Sequence, residues 1–105
     1  MQHRKTSMTN QIASTILRQL GGNKFLAMTG AKYLVAGDNF LQFTLPSRKI
    51  NSVVVRLDGD DTYTMLFNKK TNMGIDIKPI SSATGVYADQ LQNVFTERTG
   101  LYTSL

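Results

Sequence analysis

The stretch that decides the fold is INSVVVRLDGDDTYTMLFN, which runs from residue 50 to residue 68. On each side of its Asp-rich centre, apolar and polar residues alternate with a period of two, which is typical of half-buried β-strands. Six apolar residues share one face of the two segments: Val53, Val55, Leu57, Tyr63, Met65 and Phe67. The stretch therefore predicts two neighbouring strands, joined by a hairpin, that bury the same face.

The centre of this stretch, LDGDDTY, contains three carboxylates in four positions: Asp58, Asp60 and Asp61. Such a cluster can ligate a metal ion or turn the chain. An EF-hand calcium loop that began at Asp58 would need a bidentate Glu at its twelfth position, where this sequence has Lys69. A four-residue connection of Asp and Gly is what a β-hairpin requires on its own account. We therefore predict a turn, with no metal site and no cofactor; metal-dependent hydrolysis is the weaker alternative.

Further short strands are predicted on both sides of this hairpin. Their ranges are Lys24 to Met28, Ala31 to Ala36, Asn39 to Leu45 and Gly74 to Lys78. Gly37, Asp38 and Asn39 have the composition of a turn between two of them. The polar stretch NKKTNM, residues 68 to 73, is predicted to be a loop, and Ile75 and Ile77 are expected to face the core.

Two helices are predicted, one near each end of the chain. The first runs from Thr9 to Leu20, because its apolar residues recur every three or four positions, and Gly21 and Gly22 end it. The second has an apolar face of Tyr87, Leu91, Val94 and Phe95, with an N-cap from Ser81, Ser82 or Thr84. The final segment, residues 101 to 105, is apolar enough to pack back on the sheet.

Together these elements predict an α+β fold: a helix, a four- to five-stranded and mostly antiparallel meander sheet, and a C-terminal helix. Both helices are expected on one face of the sheet. The chain has 105 residues, of which 41% are hydrophobic, so one modest core can form. We expect a single domain over residues 9–105, preceded by a flexible basic arm over residues 1–8 in which Met8 is an alternative start.

The charge balance points towards anionic partners. Twelve Lys and Arg against seven Asp and Glu give a net charge of +5, which favours DNA or RNA. If the strands alternate up and down, one end of the sheet collects the basic residues Lys32, Arg48, Lys49, Lys69 and Lys70. The other end collects the acidic residues Asp38, Asp58, Asp60 and Asp61. We predict that the five cations contact nucleic acid; the alternative is that they are ordinary solvated lysines of surface loops.

Binding of single strands would also need exposed aromatic side chains. The candidates for such stacking are Tyr33, Phe40, Tyr63 and Phe67. Phe43 and Phe67 lie on predicted inward faces, however, so the periodicity favours a place in the core for both. The uncovered face of the sheet is expected to be solvated or docked to a partner.

Several function classes are disfavoured by what the chain lacks. It has no cysteine, which excludes disulfides, thiolate metal sites and a cysteine nucleophile. Its one histidine, His3, falls in the predicted arm, so a Ser-His-Asp triad has no base. No apolar run approaches the roughly 18 residues of a membrane span. We therefore expect a protein that is not an enzyme and does not enter a membrane.

Two longer segments resemble a known group of proteins. ILRQLGGNKFLAMTGAK, residues 16 to 32, and GVYADQLQNVFTERTGLYTSL, residues 85 to 105, are similar to segments of a family of small uncharacterised proteins encoded by bacteriophages and mobile elements. The resemblance covers most of the chain from about residue 12. It implies a phage or prophage accessory protein in the bacterial cytoplasm, and it supplies no catalytic or binding residues.

Two functions follow as hypotheses. The first is a non-enzymatic module that binds nucleic acid through the basic residues. The alternative is an inhibitor that binds a host protein, such as a defence factor, through a charged end or the uncovered sheet face. The exposed edge strand Gly74 to Lys78 could also pair across a two-fold axis and form a homodimer.

Overall fold

Three α-helices and five strands make up residues 11–103, the part of the chain that a computed structural model describes. The helices are α1 (Gln11–Leu20), α2 (Gly22–Thr29) and α3 (Leu91–Thr99). The strands are β1 (Lys32–Ala36), β2 (Phe40–Thr44), β3 (Ser52–Leu57), β4 (Tyr63–Thr71) and β5 (Asp76–Val86). The predicted arm, residues 1–8, and the predicted caps Thr9 and Asn10 lie outside the described residues.

The strands form one antiparallel meander in the order β1-β2-β3-β4-β5. The stretch from residue 50 to residue 68 lies at its centre, where Phe43 is opposite Val53 and Val53 is opposite Phe67. Residues directly opposite each other share a face of the sheet, so these side chains point the same way. The predicted α+β architecture and the alternating strand order are confirmed.

All three helices pack on one face of the sheet. Phe25 of α2 meets Phe43 of β2 edge to face, with ring centroids 5.3 Å apart, and it meets Phe95 of α3 at 5.2 Å. Ala13, Ile16 and Leu20 of α1 join the same core. Phe43 and Phe67 are fully buried, as predicted. The opposite face of the sheet is left without a covering helix from residues 11–103.

The prediction of a strand from Lys24 to Met28 is wrong, because these residues belong to α2. Phe25 and Thr29, four positions apart, are both buried on one side of this helix. The Thr29 hydroxyl donates to the Phe25 carbonyl at 2.7 Å, and Gly30 ends the helix in the left-handed conformation at φ 73°. The segment was expected to alternate like a strand. Its buried residues are instead spaced as on one side of a helix, and this spacing decides its structure.

The predicted loop at residues 68–73 is wrong for residues 68 to 71, and only Asn72 and Met73 lie in the connecting turn. β4 continues to Thr71 and pairs with a much longer β5, with Lys69 opposite Lys78 and Thr71 opposite Asp76. Ser81, Ser82 and Thr84 belong to β5 and do not cap a helix. Ile75 and Ile77 do not face the core: their exposed fractions are 81% and 56%. In this part of the hairpin, residues 69 to 71 and 76 to 78 form strands because they pair with each other, although neither segment buries an apolar face in the core.

The C-terminal helix begins later than predicted. A 3₁₀ turn, Ala88–Gln90, precedes α3, and the Gln90 side chain accepts the N–H of Tyr87 at 3.1 Å. Leu91 and Phe95 are buried as predicted, whereas Tyr87 is exposed. After the helix, Leu101 packs against the core and the buried Thr103 donates to Gln92 of α3 at 2.8 Å. The predicted packing of the C-terminal segment therefore holds up to residue 103, partly against α3.

Candidate nucleic-acid interface

The meander brings cationic side chains from several elements to one end of the sheet. At this end β1 begins, β2 ends, β3 begins, β4 ends and β5 begins. The residues that define this basic end are Lys32, Arg48, Lys49, Lys69, Lys70 and Lys78. The opposite, acidic end contains the turns with Asp38, Asp58, Asp60 and Asp61. The structure thus brings together the five predicted cations and adds Lys78.

The side chain of Asn51 ties the loop between β2 and β3 to β4. It accepts a hydrogen bond from the backbone N–H of Lys70 at 2.7 Å and donates one to the Lys70 carbonyl at 2.9 Å. The side chain thus makes the two hydrogen bonds that the backbone of a neighbouring strand would make. The backbone of Asn51 donates to Asn68 and accepts from Leu45. The three bonds to Asn68 and Lys70 hold the loop that contains Arg48 and Lys49 beside the end of β4, and the bond from Leu45 closes the base of that loop.

A polar row crosses the uncovered face of the sheet near this end. Lys32 is opposite Thr44, Thr44 is opposite Ser52, and Ser52 is opposite Asn68. Lys70 follows on the same face, because it lies two residues after Asn68 in β4. The Ser52 hydroxyl is buried without a hydrogen-bond partner among the described residues. The accessible members of the row, the Thr44 hydroxyl, the Asn68 amide and the lysine ammonium groups, are donors that phosphate oxygens accept.

The six cations of the basic end form no ion pair with residues 11–103. The ion pairs in that part of the chain are Arg56 with Asp58, at 3.0 Å, and Arg98 with Glu97, at 3.8 Å. The nearest carboxylate in sequence to Lys78 of β5 is Asp76, which accepts a hydrogen bond from Asn72. Within residues 11–103, the positive charge at this end is therefore not neutralised by ion pairs.

The acidic end is different, because two of its four carboxylates, those of Asp58 and Asp60, are engaged by neighbouring residues. Asp58 accepts from Arg56 Nε at 3.0 Å and from the Thr64 hydroxyl at 2.6 Å. Asp60 accepts from both the backbone and the hydroxyl of Thr62. The hydrogen bonds from Thr64 and, second to it, Arg56 lower the pKa of Asp58 below the ordinary 3.8. Those from Thr62 lower the pKa of Asp60 in the same way.

The backbone of the same segment closes as a hairpin. Asp58 donates to the Thr62 carbonyl at 2.8 Å, and Asp61 adopts φ 65°, a left-handed conformation that Asp tolerates. The predicted turn is confirmed. Within the described ranges, no group of three or more His, Asp or Glu side chains is arranged to hold a metal ion.

The aromatic candidates for base stacking are dispersed. Phe67 is in the core, and Tyr63 is buried, with its hydroxyl donating to Gln19 at 2.9 Å; burial raises the pKa of that phenol. Phe40 is half-buried. Tyr33 is 76% exposed and lines a shallow depression of about 170 Å³ with Lys32 and Pro46. A stacking role for Tyr63 and Phe67 is therefore wrong, and Tyr33 is the one candidate that is both exposed and beside a basic residue.

Sequence reasoning missed Lys78 and the polar row. Lys78 was placed in a strand, but its position opposite Lys69 depends on where the hairpin turns. The signal was the turn-forming stretch Asn72-Met73-Gly74 between two polar segments. The sequence around Thr44 and Asn68 does not predict their place in the polar row. They lie beside Lys32 and Lys70 only because of the register in which the strands pair.

Comparisons with known proteins add no assignment. A scan against protein-family models and searches of curated proteins and of solved structures return no match to this chain. The resemblance to phage-encoded proteins thus stays a prediction. Among residues 11–103, no helix is long and apolar enough to cross a membrane.

Proposed function

We propose that this protein is a small non-enzymatic accessory module that binds nucleic acid through its basic end. One observation carries the proposal: six cations from β1, the β2–β3 loop, β4 and β5 converge there without an ion pair from residues 11–103. Each phosphate that a cation neutralises releases counterions and adds to the affinity. Donors from the exposed Thr44 and the half-buried Asn68 lie between the lysines and suit phosphate oxygens.

The arrangement favours contacts to the phosphate backbone over reading of bases. Lys32 and Lys70 lie on the uncovered face of the sheet, while Arg48 and Lys49 are in the loop beside it. Base stacking by several aromatic rings is disfavoured, because Tyr63 and Phe67 are buried. We therefore propose duplex DNA or RNA as the partner, bound with little dependence on sequence.

Fluorescence anisotropy with a labelled duplex, measured at increasing salt concentration, tests this function. The logarithm of affinity should fall linearly with the logarithm of salt concentration. The triple variant Lys49→Glu, Lys69→Glu, Lys70→Glu should lose most of the binding. For milder variants that remain measurable, each lost phosphate contact should reduce the slope by about 0.9.

The matched control is Arg18→Glu, which reverses one exposed charge on α1 beside Leu57 and Tyr63, towards the acidic end. It should weaken binding far less than Lys70→Glu. Binding that does not respond to salt, or equal losses for Arg18→Glu and Lys70→Glu, would exclude the basic end as the interface.

The second candidate function is inhibition of a host protein in a bacterial cell. The observation that favours it is the uncovered sheet face, where Val35 is 49% exposed and Val54 and Leu66 are half-buried. Capture of one stoichiometric bacterial protein, lost in a Val54→Lys, Leu66→Lys variant and retained in the Lys49, Lys69, Lys70 triple variant, would support this function over nucleic-acid binding.

A further inference from the structure

We propose that the outer edge of β5 is a homodimer interface. Residues Asp76 to Lys78 would pair antiparallel with the same residues of a second copy, about a two-fold axis that passes through Ile77. The two five-stranded sheets would then form one continuous sheet of ten strands. The argument for this interface does not rest on the nucleic-acid function proposed above, although the pairing would engage Lys78, one of the six cations of the basic end.

The first argument is that the backbone of Ile77 points outward. Asn51 binds both the N–H and the carbonyl of Lys70, so both of these groups point towards β3. Ile77 is directly opposite Lys70. In an antiparallel pair, two opposite residues either exchange both hydrogen bonds or both point away from each other. The N–H and carbonyl of Ile77 therefore point away from β4, to the edge where the sheet of described strands ends.

The second argument is that only part of this edge is open. Near α3, the guanidinium of Arg98 donates to the Ser82 carbonyl at 2.8 Å and also binds the Ser81 hydroxyl. Arg98 therefore occupies the edge at that point. Residues 71 to 80 are all exposed, and no described residue covers them. An open edge with unpaired backbone groups is a template for another strand, and proteins usually block it.

The third argument is charge complementarity, which selects one register. With the axis at Ile77, Asp76 is opposite Lys78 of the second copy, and this attractive pair occurs twice. Moving the axis to Asp76 or to Lys78 sets identical charges opposite each other, which is unfavourable.

The backbone also excludes a two-fold axis at Asp76 or at Lys78. A shift towards the turn would require pairing by Ile75, which has helical dihedral angles, φ −72° and ψ −42°. A shift towards α3 would use Pro79, which has no N–H to donate. The register centred on Ile77 is the one in which the central residue exchanges two hydrogen bonds and both charged pairs attract.

The side chain of Ile77 supplies an apolar contact at the axis. Ile77 is 56% exposed and lies on the uncovered face, because its neighbour Lys70 follows Leu66 and Asn68 on that face. In the proposed pairing, each Ile77 lies directly against its own copy. Asp76 and Lys78 project to the other face, so the apolar and charged contacts are separated.

Cysteine cross-linking gives a direct test, because the chain contains no cysteine of its own. In the variant Ile77→Cys the two Cα atoms would be about 5.5 Å apart, within the range of a disulfide. In Asp76→Cys the equivalent atoms would be about 8 Å apart, two residues out of register, and beyond that range. Under mild oxidation, Ile77→Cys should form a covalent dimer rapidly and Asp76→Cys slowly.

Sedimentation of charge variants provides an independent readout. Lys78→Asp and Asp76→Lys should each weaken dimerisation about ten-fold or more, because two attractive pairs become repulsive. The double variant Asp76→Lys, Lys78→Asp should restore it, since the pairs re-form with exchanged signs. Equal cross-linking of Ile77→Cys and Asp76→Cys, a double variant as weak as the single ones, or a wild-type protein that stays monomeric would each overturn the proposal.

Discussion

The two hairpins that share β4 differ in how their polar groups are satisfied. At the acidic end, the turn between β3 and β4 is closed by its own contacts: Asp58 binds Arg56 and Thr64, and Asp60 binds Thr62. At the basic end, the hairpin of β4 and β5 extends past the core, with residues 71 to 80 all exposed. Proteins ordinarily block the unpaired backbone N–H and C=O groups of an edge strand. Because those of the second hairpin are left open, it is the hairpin that we propose as a contact surface.

The distal hairpin also contains local costs that the first one avoids. Lys69 is directly opposite Lys78, and like charges in that position repel. Met73, fully exposed, adopts φ 58°, a left-handed conformation in which Gly or Asn is favoured. Costs of this kind persist where an exposed segment serves a purpose outside the fold. The comparison teaches that the same strand ends in a turn closed by its own side chains on one side and in an exposed hairpin on the other, and we propose the exposed hairpin as the contact element.

The largest expected effect separates the core part of β4 from its distal part. Phe67→Ala should lower the free energy of unfolding by about 3–5 kcal/mol, because it leaves a cavity in the hydrophobic core, where Phe67 is fully buried. Urea unfolding measures this loss. The matched change in the distal hairpin, Ile77→Ala, should cost less than about 1 kcal/mol when unfolding is measured at a protein concentration low enough to keep the chain monomeric, because the Ile77 side chain of a single copy is more than half exposed. Similar costs would show that the distal hairpin is packed in solution.

An intermediate effect concerns the turn between β3 and β4. The pKa of Asp58 is lowered chiefly by the Thr64 hydroxyl, so its stabilising contribution is complete above the ordinary 3.8 and is lost as the pH falls through the lower folded pKa. Thr64→Val should move the NMR titration midpoint of Asp58 back towards 3.8. The variant should be less stable than the wild type at neutral pH, and this difference should shrink below about pH 4.

A titration midpoint of Asp58 that does not move in Thr64→Val would show that the turn is not closed by this bond. Thr62→Val is the useful companion, because the Thr62 hydroxyl binds the Asp60 carboxylate and makes no hydrogen bond to the Asp58 carboxylate. It should shift the midpoint of Asp60 and not that of Asp58.

The smallest expected effect tests the cost at the hairpin tip. Met73→Gly should stabilise the protein by about 0.5 kcal/mol, since glycine adopts positive φ without strain but loses more entropy on folding. Asp61→Gly, at φ 65° in the other turn, should be neutral or destabilising, because Asp tolerates this conformation. The melting temperatures of both variants, from thermal unfolding, measure these effects. A lower melting temperature for Met73→Gly would mean that the Met73 side chain makes contacts within the protein.

Much of the fold was predictable because its strongest signals are local. The alternation in residues 50 to 68 predicted β3, β4 and their shared buried face, and the turn residues between them were identified as a turn. The same reasoning led to the α+β class, the meander order and the separation of five cations from four carboxylates. The errors are of two kinds: at Lys24 to Met28 two readings of a short pattern competed, and between residues 68 and 78 the pairing of β4 with β5 decided the structure.

The sequence by itself determined the periodicities: the amphipathic α1, the alternating central strands, the Asp-Gly turn and the net positive charge are properties of neighbouring residues. Only the tertiary structure decided that Lys69 to Thr71 is a strand, that Ile77 is exposed and that Lys78 belongs to the basic end. The physical reason is that a residue's pairing partner and its burial are set by segments distant in the chain. A local pattern states which face is apolar, and the packing of the other elements determines whether that face meets the core.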